Sequence, residues 1–427
     1  MKILIISSDP VGVKMSGLGI RNYNIARQLT KKLPTVQITL AVPNEPDLQN
    51  RPFGIVQYKS NWTKAKLILG SDVIISQGFG LVGLFFYFSR RKKFLFDAYD
   101  PINMEWLETG KGSDIYEKRI RFNRDYLNLE FLLADFIVCA NGRQRDMWLG
   151  MLSSLDIIKK RDYDRDSSLR SLIDIVPLGV RQAMPIKTKK VLKGVVPGIA
   201  GRDKVLIWNG GIWNWFDPAS LIEAIGEISK KRYDIKLYFL GTKHPNPKIQ
   251  EFRVLSEATA LAKKLGLFNK YVFFNFGWVD FEDSQNYLLE SDIGVSTYYD
   301  NLETRFSHRS RILDLIWASL PIICTKGDYL SELVEKRRLG LSVPEKDVSA
   351  IAAAIERLVD NRKLYQNCRE NLEKLRTEYS WEKVLSPVVN FCRSNNFWTR
   401  RRIGIGYYTR LVYFYLKWIS FKIFKIY

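Results

Sequence analysis

Short runs of adjacent apolar residues alternate along this chain with longer stretches in which apolar positions recur every three or four residues. The first pattern predicts buried strands and the second amphipathic helices. Strand candidates in the first half are Lys2–Ile6, Val36–Val42, Asp72–Ser76, Lys93–Phe96, Phe136–Ala140 and Ile173–Val176. In the second half they are Lys204–Trp208, Ile235–Leu240, Tyr271–Asn275, Ile293–Ser296, Pro321–Thr325 and Gly340–Val343. Runs that are apolar throughout, with helices between them, predict parallel sheets covered on both faces. The fold class is therefore α/β: two Rossmann-like parallel-sheet domains facing a cleft, 1–185 and 204–380. A Lys-, Gly- and Pro-rich linker (186–203), a closing helix (381–396) and a basic aromatic tail (397–427) complete the division. The charged stretch Asp156–Arg170 reads as a solvated loop.

Each half opens in the same way, with an aliphatic strand, a glycine loop and a helix. The first loop is Ser16-Gly17-Leu18-Gly19-Ile20-Arg21, with a helical pattern from Arg21 to Leu33. Asn22 stands where a dinucleotide fingerprint has its third glycine, and the loop starts well after the strand ends, which disfavours a Rossmann oxidoreductase. Gly17, Gly19 and Arg21 can still offer backbone N–H groups and a charge to a phosphate, and a plain turn is the competing reading. The second loop, Trp208-Asn-Gly-Gly-Ile-Trp-Asn-Trp-Phe-Asp217-Pro218, sets Gly210 and Gly211 among aromatic residues. Asp217 and Pro218 fit the cap and first turn of a helix running to Ile228. Two glycines in such a loop allow a pyrophosphate to approach the backbone.

A third region, Tyr298 to Leu320, gathers Glu303, Arg305, His308, Arg309, Arg311 and Asp314. A helix starting near Ser307 places His308, Arg311 and Asp314 on one face. Arginines suit a diphosphate and a carboxylate suits ribose hydroxyls, while a solvated face with Arg–Asp pairing is the plainer account.

Composition adds one large asymmetry. The 427 residues carry 66 Lys and Arg against 45 Asp and Glu, a net charge of +21, which points to an anionic partner. No acidic residue follows Glu382, and nine cations do. The segment after Asn396 interleaves eleven aromatic residues with seven cations, among them Arg400, Arg401, Arg402 and Lys422, with Trp418 between. A helix over Tyr407–Tyr427 gathers its cations within roughly 140° of arc, the pattern of a helix lying on an anionic membrane surface. Nucleic acid and docking onto a partner or onto its own domain are the competing readings. The apolar stretch Gly80–Lys93 is a second candidate membrane contact, or a buried helix with a charged end. Four scattered cysteines and two histidines disfavour a metal site and fit buried thiols in a reducing compartment. The opening apolar stretch is too short for a signal peptide, and no run of about 18 apolar residues occurs, so a cytoplasmic protein without a spanning helix is expected.

Four stretches together resemble glycosyltransferase family 4, retaining GT-B enzymes that use nucleotide-activated sugars. They are Ala134-Asp-Phe-Ile-Val-Cys-Ala-Asn-Gly-Arg-Gln-Arg, Ile175-Val-Pro-Leu-Gly-Val180, Gly277-Trp-Val-Asp with Ser291-Asp292 and Val295-Ser-Thr, and Asp314-Leu-Ile-Trp-Ala-Ser-Leu-Pro-Ile-Ile-Cys-Thr. The resemblance implies a donor site made of Gly210, Gly211, Trp278, Val279, Arg309, Arg311 and Asp314, with Gly277–Val279 at the nucleobase. Aligned on Pro321, the family's ribose-binding carboxylate falls on Asp314. Its first donor carboxylate falls on Phe306, leaving Glu303 as the nearest substitute, and its diphosphate-binding Arg and Lys fall on Gly211 and Asp217. On the acceptor side, where the family often has a histidine, Asp100 is the preferred catalytic candidate and Asp97 the alternative. The resemblance implies transfer from a nucleotide-diphosphate sugar, without metal or other cofactor, to a lipid-linked or envelope glycan acceptor. The protein would lie peripherally on the inner face of a membrane, with no nucleic-acid partner. The missing carboxylate and Arg/Lys pair keep a second expectation open: a catalytically silent relative that scaffolds glycan assembly.

Overall fold

The computed structural model describes residues 1–48, 51–78, 92–109, 115–181, 183–242, 244, 246, 253–394 and 405–423. Two parallel sheets organise the chain. Strands β1 (Lys2–Ile6), β2 (Gln37–Val42), β3 (Gly54–Gln57), β4 (Val73–Ser76), β5 (Lys93–Asp97), β6 (Phe136–Cys139) and β7 (Ile173–Ile175) form the first, in the order β3-β2-β1-β4-β5-β6-β7. Strands β8 (Lys204–Trp208), β9 (Ile235–Phe239), β10 (Val272–Phe274), β11 (Ile293–Ser296), β12 (Ile322–Thr325) and β13 (Gly340–Val343) form the second, ordered β10-β9-β8-β11-β12-β13. In both, the order reverses after the first strand. This is the doubly wound arrangement whose crevice opens at the carboxyl ends of the two central strands. Each predicted strand appears within a residue or two of its expected limits. β3 is the strand the pattern does not reveal, because it is a half-exposed edge strand.

The chain divides into two compact units, one of residues 1–12, 17–177 and 384–427, the other of residues 13–16 and 178–383. Residues 186–203, expected as the linker, are hydrogen-bonded into the second unit. Asn286 Oδ1 accepts from the backbone N–H of Thr188 and Lys189, and the Glu290 carboxylate accepts from those of Val191, Leu192 and Lys193. Burial works against that carboxylate, but Lys187 and the three N–H groups hold it down at about 2. The stretch Asp156–Arg170 contains a short helix, Lys160–Arg165, with Asp162 buried, so it is not simply solvated.

In the first unit the glycines of the opening loop are already helical. Gly17 begins the helix Gly17–Lys32 and Gly19 is buried in its first turn. Arg21 is wholly buried. Its Nε and Nη2 donate to the two oxygens of Asp97 at 2.7 and 2.8 Å, and its Nη1 donates to the Val176 and Pro177 carbonyls. Burial alone would weaken the charge, but Asp97 outweighs it and keeps the guanidinium above its ordinary value. An arginine bound in this way is not available to a phosphate, which corrects the expectation for Arg21. It ties the first helix to the carboxyl ends of β5 and β7. Asp100 lies half-buried beyond the end of β5, before the helix Ile102–Thr109.

The expected C-terminal helix is present as Ile405–Ile423, and it packs on the helix Ile115–Leu133 of the same unit. Leu411 joins the core of that unit, with Phe414, Tyr415 and Ile419 against it. Arg410 donates to the Leu155 carbonyl and to Asp156, and Lys417 pairs with the buried Asp125 at 3.1 Å. These two cations thus face protein, not lipid. Arg400, Arg401 and Arg402 lie outside the described residues, as does almost all of Gly80–Lys93, and the side chains of Trp418 and Lys422 are likewise not described. Among the described residues, no helix is long and apolar enough to cross a membrane.

Candidate functional site

At the reversal point of the second sheet, the segment after β8 meets the helix Ser310–Trp317. Trp208, the last residue of β8, is fully buried and packs its ring edge-on against Phe216. The next residues turn sharply: Gly210 has φ +105°, a conformation that a side chain would strain. Gly211 follows between two indoles, where a Cβ would make only ordinary contacts, 3.4 Å to Trp213 Nε1 and 3.7 Å to Trp278. The expected cap is in place, with Asp217 accepting from Ser220 N at 3.0 Å at the start of the helix Pro218–Ser229.

The helix Ser310–Trp317 reaches this loop because Gly294, in β11, has no side chain. A Cβ there would lie 2.3 Å from the Leu315 side chain, so the bare strand lets the helix sit close. Arg311 is buried over the rings of Phe216 and Trp208, its guanidinium carbon 4.0 and 4.7 Å from their centroids. Its Nη2 donates to the Gly211 carbonyl at 2.6 Å, whereas Nη1 is buried with no hydrogen-bond partner. Burial, with the nearby charge of Arg309, lowers its pKa to about 9, against the pull of Asp314. A guanidinium so held gains from an anion brought to its open amino group.

Asp314 shares one organiser with Arg311. The amide of Asn209 donates to the Arg311 carbonyl at 3.1 Å and to Asp314 Oδ2 at 3.2 Å. Protein crowds the Asp314 carboxyl and raises its pKa to about 6, against Arg181, the Asn209 hydrogen bond and Arg311. The residue nevertheless keeps an exposed face, and solvent on that face tempers the rise. The folded protein therefore holds this proton more tightly than the unfolded chain. Its stabilising contribution is fully present below the ordinary value of 3.8 and is lost as the pH rises through about 6. Melting temperatures of wild type and Asp314→Asn, compared from acid to neutral pH, should differ in slope across that window. Parallel curves would show that the carboxyl is not raised.

The helix starts at Ser310, later than the spacing suggested, because an earlier short helix, Leu302–Phe306, intervenes. Asn301 caps that helix and the chain turns at Ser307, which leaves His308 buried outside both helices. Arg309 then points inward, donating to both oxygens of Glu303 at 2.9 and 2.6 Å. Both side chains are almost wholly buried and Asp328 lies 3.8 Å away, so Glu303 and Arg309 hold each other and neither faces a ligand. This corrects the expectation for both.

Trp278 lies beside the glycine loop, its Nε1 donating to the Met15 carbonyl at 3.2 Å, and Gly277 accepts from Thr242 N. Val279 follows, half-buried. Three residues join the site that the motifs did not single out: Asn209, Trp213 and His244. The His244 ring lies 5.6 Å from that of Trp213 and 5.5 Å from that of Trp278. Its Nδ1 accepts from Asn246 N, so a neutral ring carries its proton on Nε2. A tryptophan-rich loop was visible in the sequence, but His244 stands alone there, with nothing to connect it.

The model of the family described as "Glycosyl transferases group 1" matches residues 203–361, the stretch that builds this site. No curated protein matches the chain. Among solved structures it is similar to Alr3699/HepE of Anabaena, solved with UDP and glucose, at 14% identity and TM-score 0.64, covering 92% of this chain and 100% of that one. It is also similar to the sucrose-phosphate synthase (tll1590) of Thermosynechococcus elongatus, at 16% identity and TM-score 0.60, covering 92% and 98%. WaaG, described as a glycosyltransferase involved in lipopolysaccharide biosynthesis, is similar at 13% identity and TM-score 0.60, covering 92% and 100%. These likenesses speak for the fold, and the family match for the second unit. The chain thus resembles the group 1 glycosyl transferases over residues 203–361 and carries, in its two units, the GT-B fold.

Proposed function

We propose that the protein transfers a sugar from a nucleotide-diphosphate donor, with retention and without metal, to a lipid-linked or envelope glycan. The observation that carries the reading is Arg311, buried on two aromatic rings with Nη1 unpartnered, three residues before Asp314 and against a side-chain-free glycine loop. In this reading the diphosphate takes the open guanidinium and the N–H groups of Gly210 and Gly211. The ribose hydroxyls take Asp314, and the base lies by Trp278 and Val279. The bond from the anomeric carbon to the phosphate oxygen breaks and the bond to the acceptor oxygen forms. The acceptor's proton passes to the departing phosphate on the same face. What the second unit then supplies is orientation and a fixed positive charge where negative charge develops. Asp100 remains the acceptor-side candidate. The acceptor class is supported by the basic aromatic tail, which suits a protein working from the inner face of a membrane.

The test is a thermal-shift screen of the whole protein against nucleoside diphosphates and their sugars, with wild type and Arg311→Met. One nucleotide should raise the melting temperature of wild type and leave the variant little changed. If no nucleotide stabilises the folded protein, the reading fails. The pairing of Glu303 with Arg309 favours a second reading, because it removes the nearest substitute for the family's first donor carboxylate. A silent scaffold would bind the nucleotide sugar and release no product across a panel of acceptors.

A further inference from the structure

The helix Ile405–Ile423 is held firmly on one side and left bare on the other. Its inner side carries Leu411 into the core, Arg410 onto Asp156 and Lys417 onto the buried Asp125. Its outer side shows Val412, Tyr413 and Leu416, exposed at 50%, 57% and 58%. By helical spacing these three fall within about 100° of arc, and Thr409 and Ser420 between them add no charge. The face is therefore apolar and aromatic, not cationic. Its surroundings are cationic in sequence: nine Lys or Arg and no acid after Glu382, with Arg410 and Lys417 alone among the described ones paired to an acid.

We propose that this outer face is a membrane-docking surface that lies in the plane of an anionic bilayer. Val412, Tyr413 and Leu416 would sit at headgroup depth, in a segment whose sequence has an excess of cations and no acid to repel anionic lipid. An amphipathic helix binds a surface through buried apolar area together with attraction to anionic lipid, and both components are present here. The same charge disfavours a second copy of this chain, whose tail would bring its own excess of cations to the face. The ion pairs on the inner side keep the face turned outward without lipid, so docking needs no unfolding of the helix from its unit. The inference is independent of the glycosyl-transfer reading, since it concerns another unit and another chemistry.

Sedimentation of the full chain with vesicles tests it. Vesicles of phosphatidylcholine mixed with phosphatidylglycerol should carry the protein down, and vesicles of phosphatidylcholine alone should carry much less. Val412→Asp/Leu416→Asp should reduce binding to the anionic vesicles about tenfold or more, with melting temperature and nucleotide-induced shift unchanged. Added salt should weaken wild-type binding. The proposal is overturned if wild type stays in the supernatant with anionic vesicles, or if the double variant binds as wild type does. It is equally overturned if wild type forms a concentration-dependent dimer that the variant abolishes while neither binds vesicles, which would assign the face to a second copy.

Discussion

Arg21→Met should destabilise the first unit by about 3–5 kcal/mol, the cost of leaving one member of a buried ion pair alone. Asp97 is almost wholly buried, and Arg21 gives it both of its charge-assisted hydrogen bonds from within 3 Å. With methionine in place, the Asp97 side chain is left without its counter-charge in a site that water does not reach, or the unit opens to admit water. Asp97→Asn should cost a comparable amount, since the guanidinium keeps its two carbonyl acceptors but loses its counter-charge. Arg21→Met/Asp97→Leu removes both charges and should recover much of the loss, which separates desolvation from packing. Urea unfolding followed through the buried Trp148 of the same unit reads all three. Single variants within about 0.5 kcal/mol of wild type would show that the pair is hydrated and not a structural tie.

Asp314→Ala should weaken binding of the cognate nucleoside diphosphate by about 10- to 100-fold, the usual worth of hydrogen bonds to a charged acceptor. Two effects add in one direction. The ribose loses its acceptor, and Arg311 loses the opposing charge that offsets its burial, so its already lowered pKa falls further. Asp314→Asn keeps the shape and should lose less than alanine does. The comparison needs only equilibrium binding, by calorimetry or by the melting shift against ligand concentration. Unchanged affinity in both variants would remove Asp314 from the site and leave the Arg311 pocket to be explained otherwise.

The two sheets were legible because most of their strands are buried on both faces, and that makes each an unbroken apolar run. The glycine loop of the candidate site was legible because Gly-Gly among tryptophans is unusual, and Asp314 stood out through its distance from Pro321. What could not be read was which way side chains of one type point. Arg309 and Arg311 differ by two positions, yet one falls before the helix and meets Glu303 while the other falls within it and meets the glycine loop. Arg21 looked like a phosphate ligand because its partner, Asp97, lies 76 residues away. The C-terminal helix was visible by its period, but its inward side was not. Asp125 and Asp156 hold it, and nothing near it in sequence names them.

The path of the chain between the two units bears on the order in which they can be built. Residues 178–383, with residues 13–16, make one unit, and residues 384–427 return to the other. During synthesis the second unit has every residue it needs once Lys383 has emerged. The first, begun earlier, still lacks Phe391 to stack on Phe136 and Leu411 to fill its core. The half that starts first therefore finishes last, and until then it exposes an apolar surface of the kind that chaperones shield. Truncation follows the same logic: removing the last residues would strike the unit that contains the first ones, and leave the unit of residues 178–383 with its own core complete.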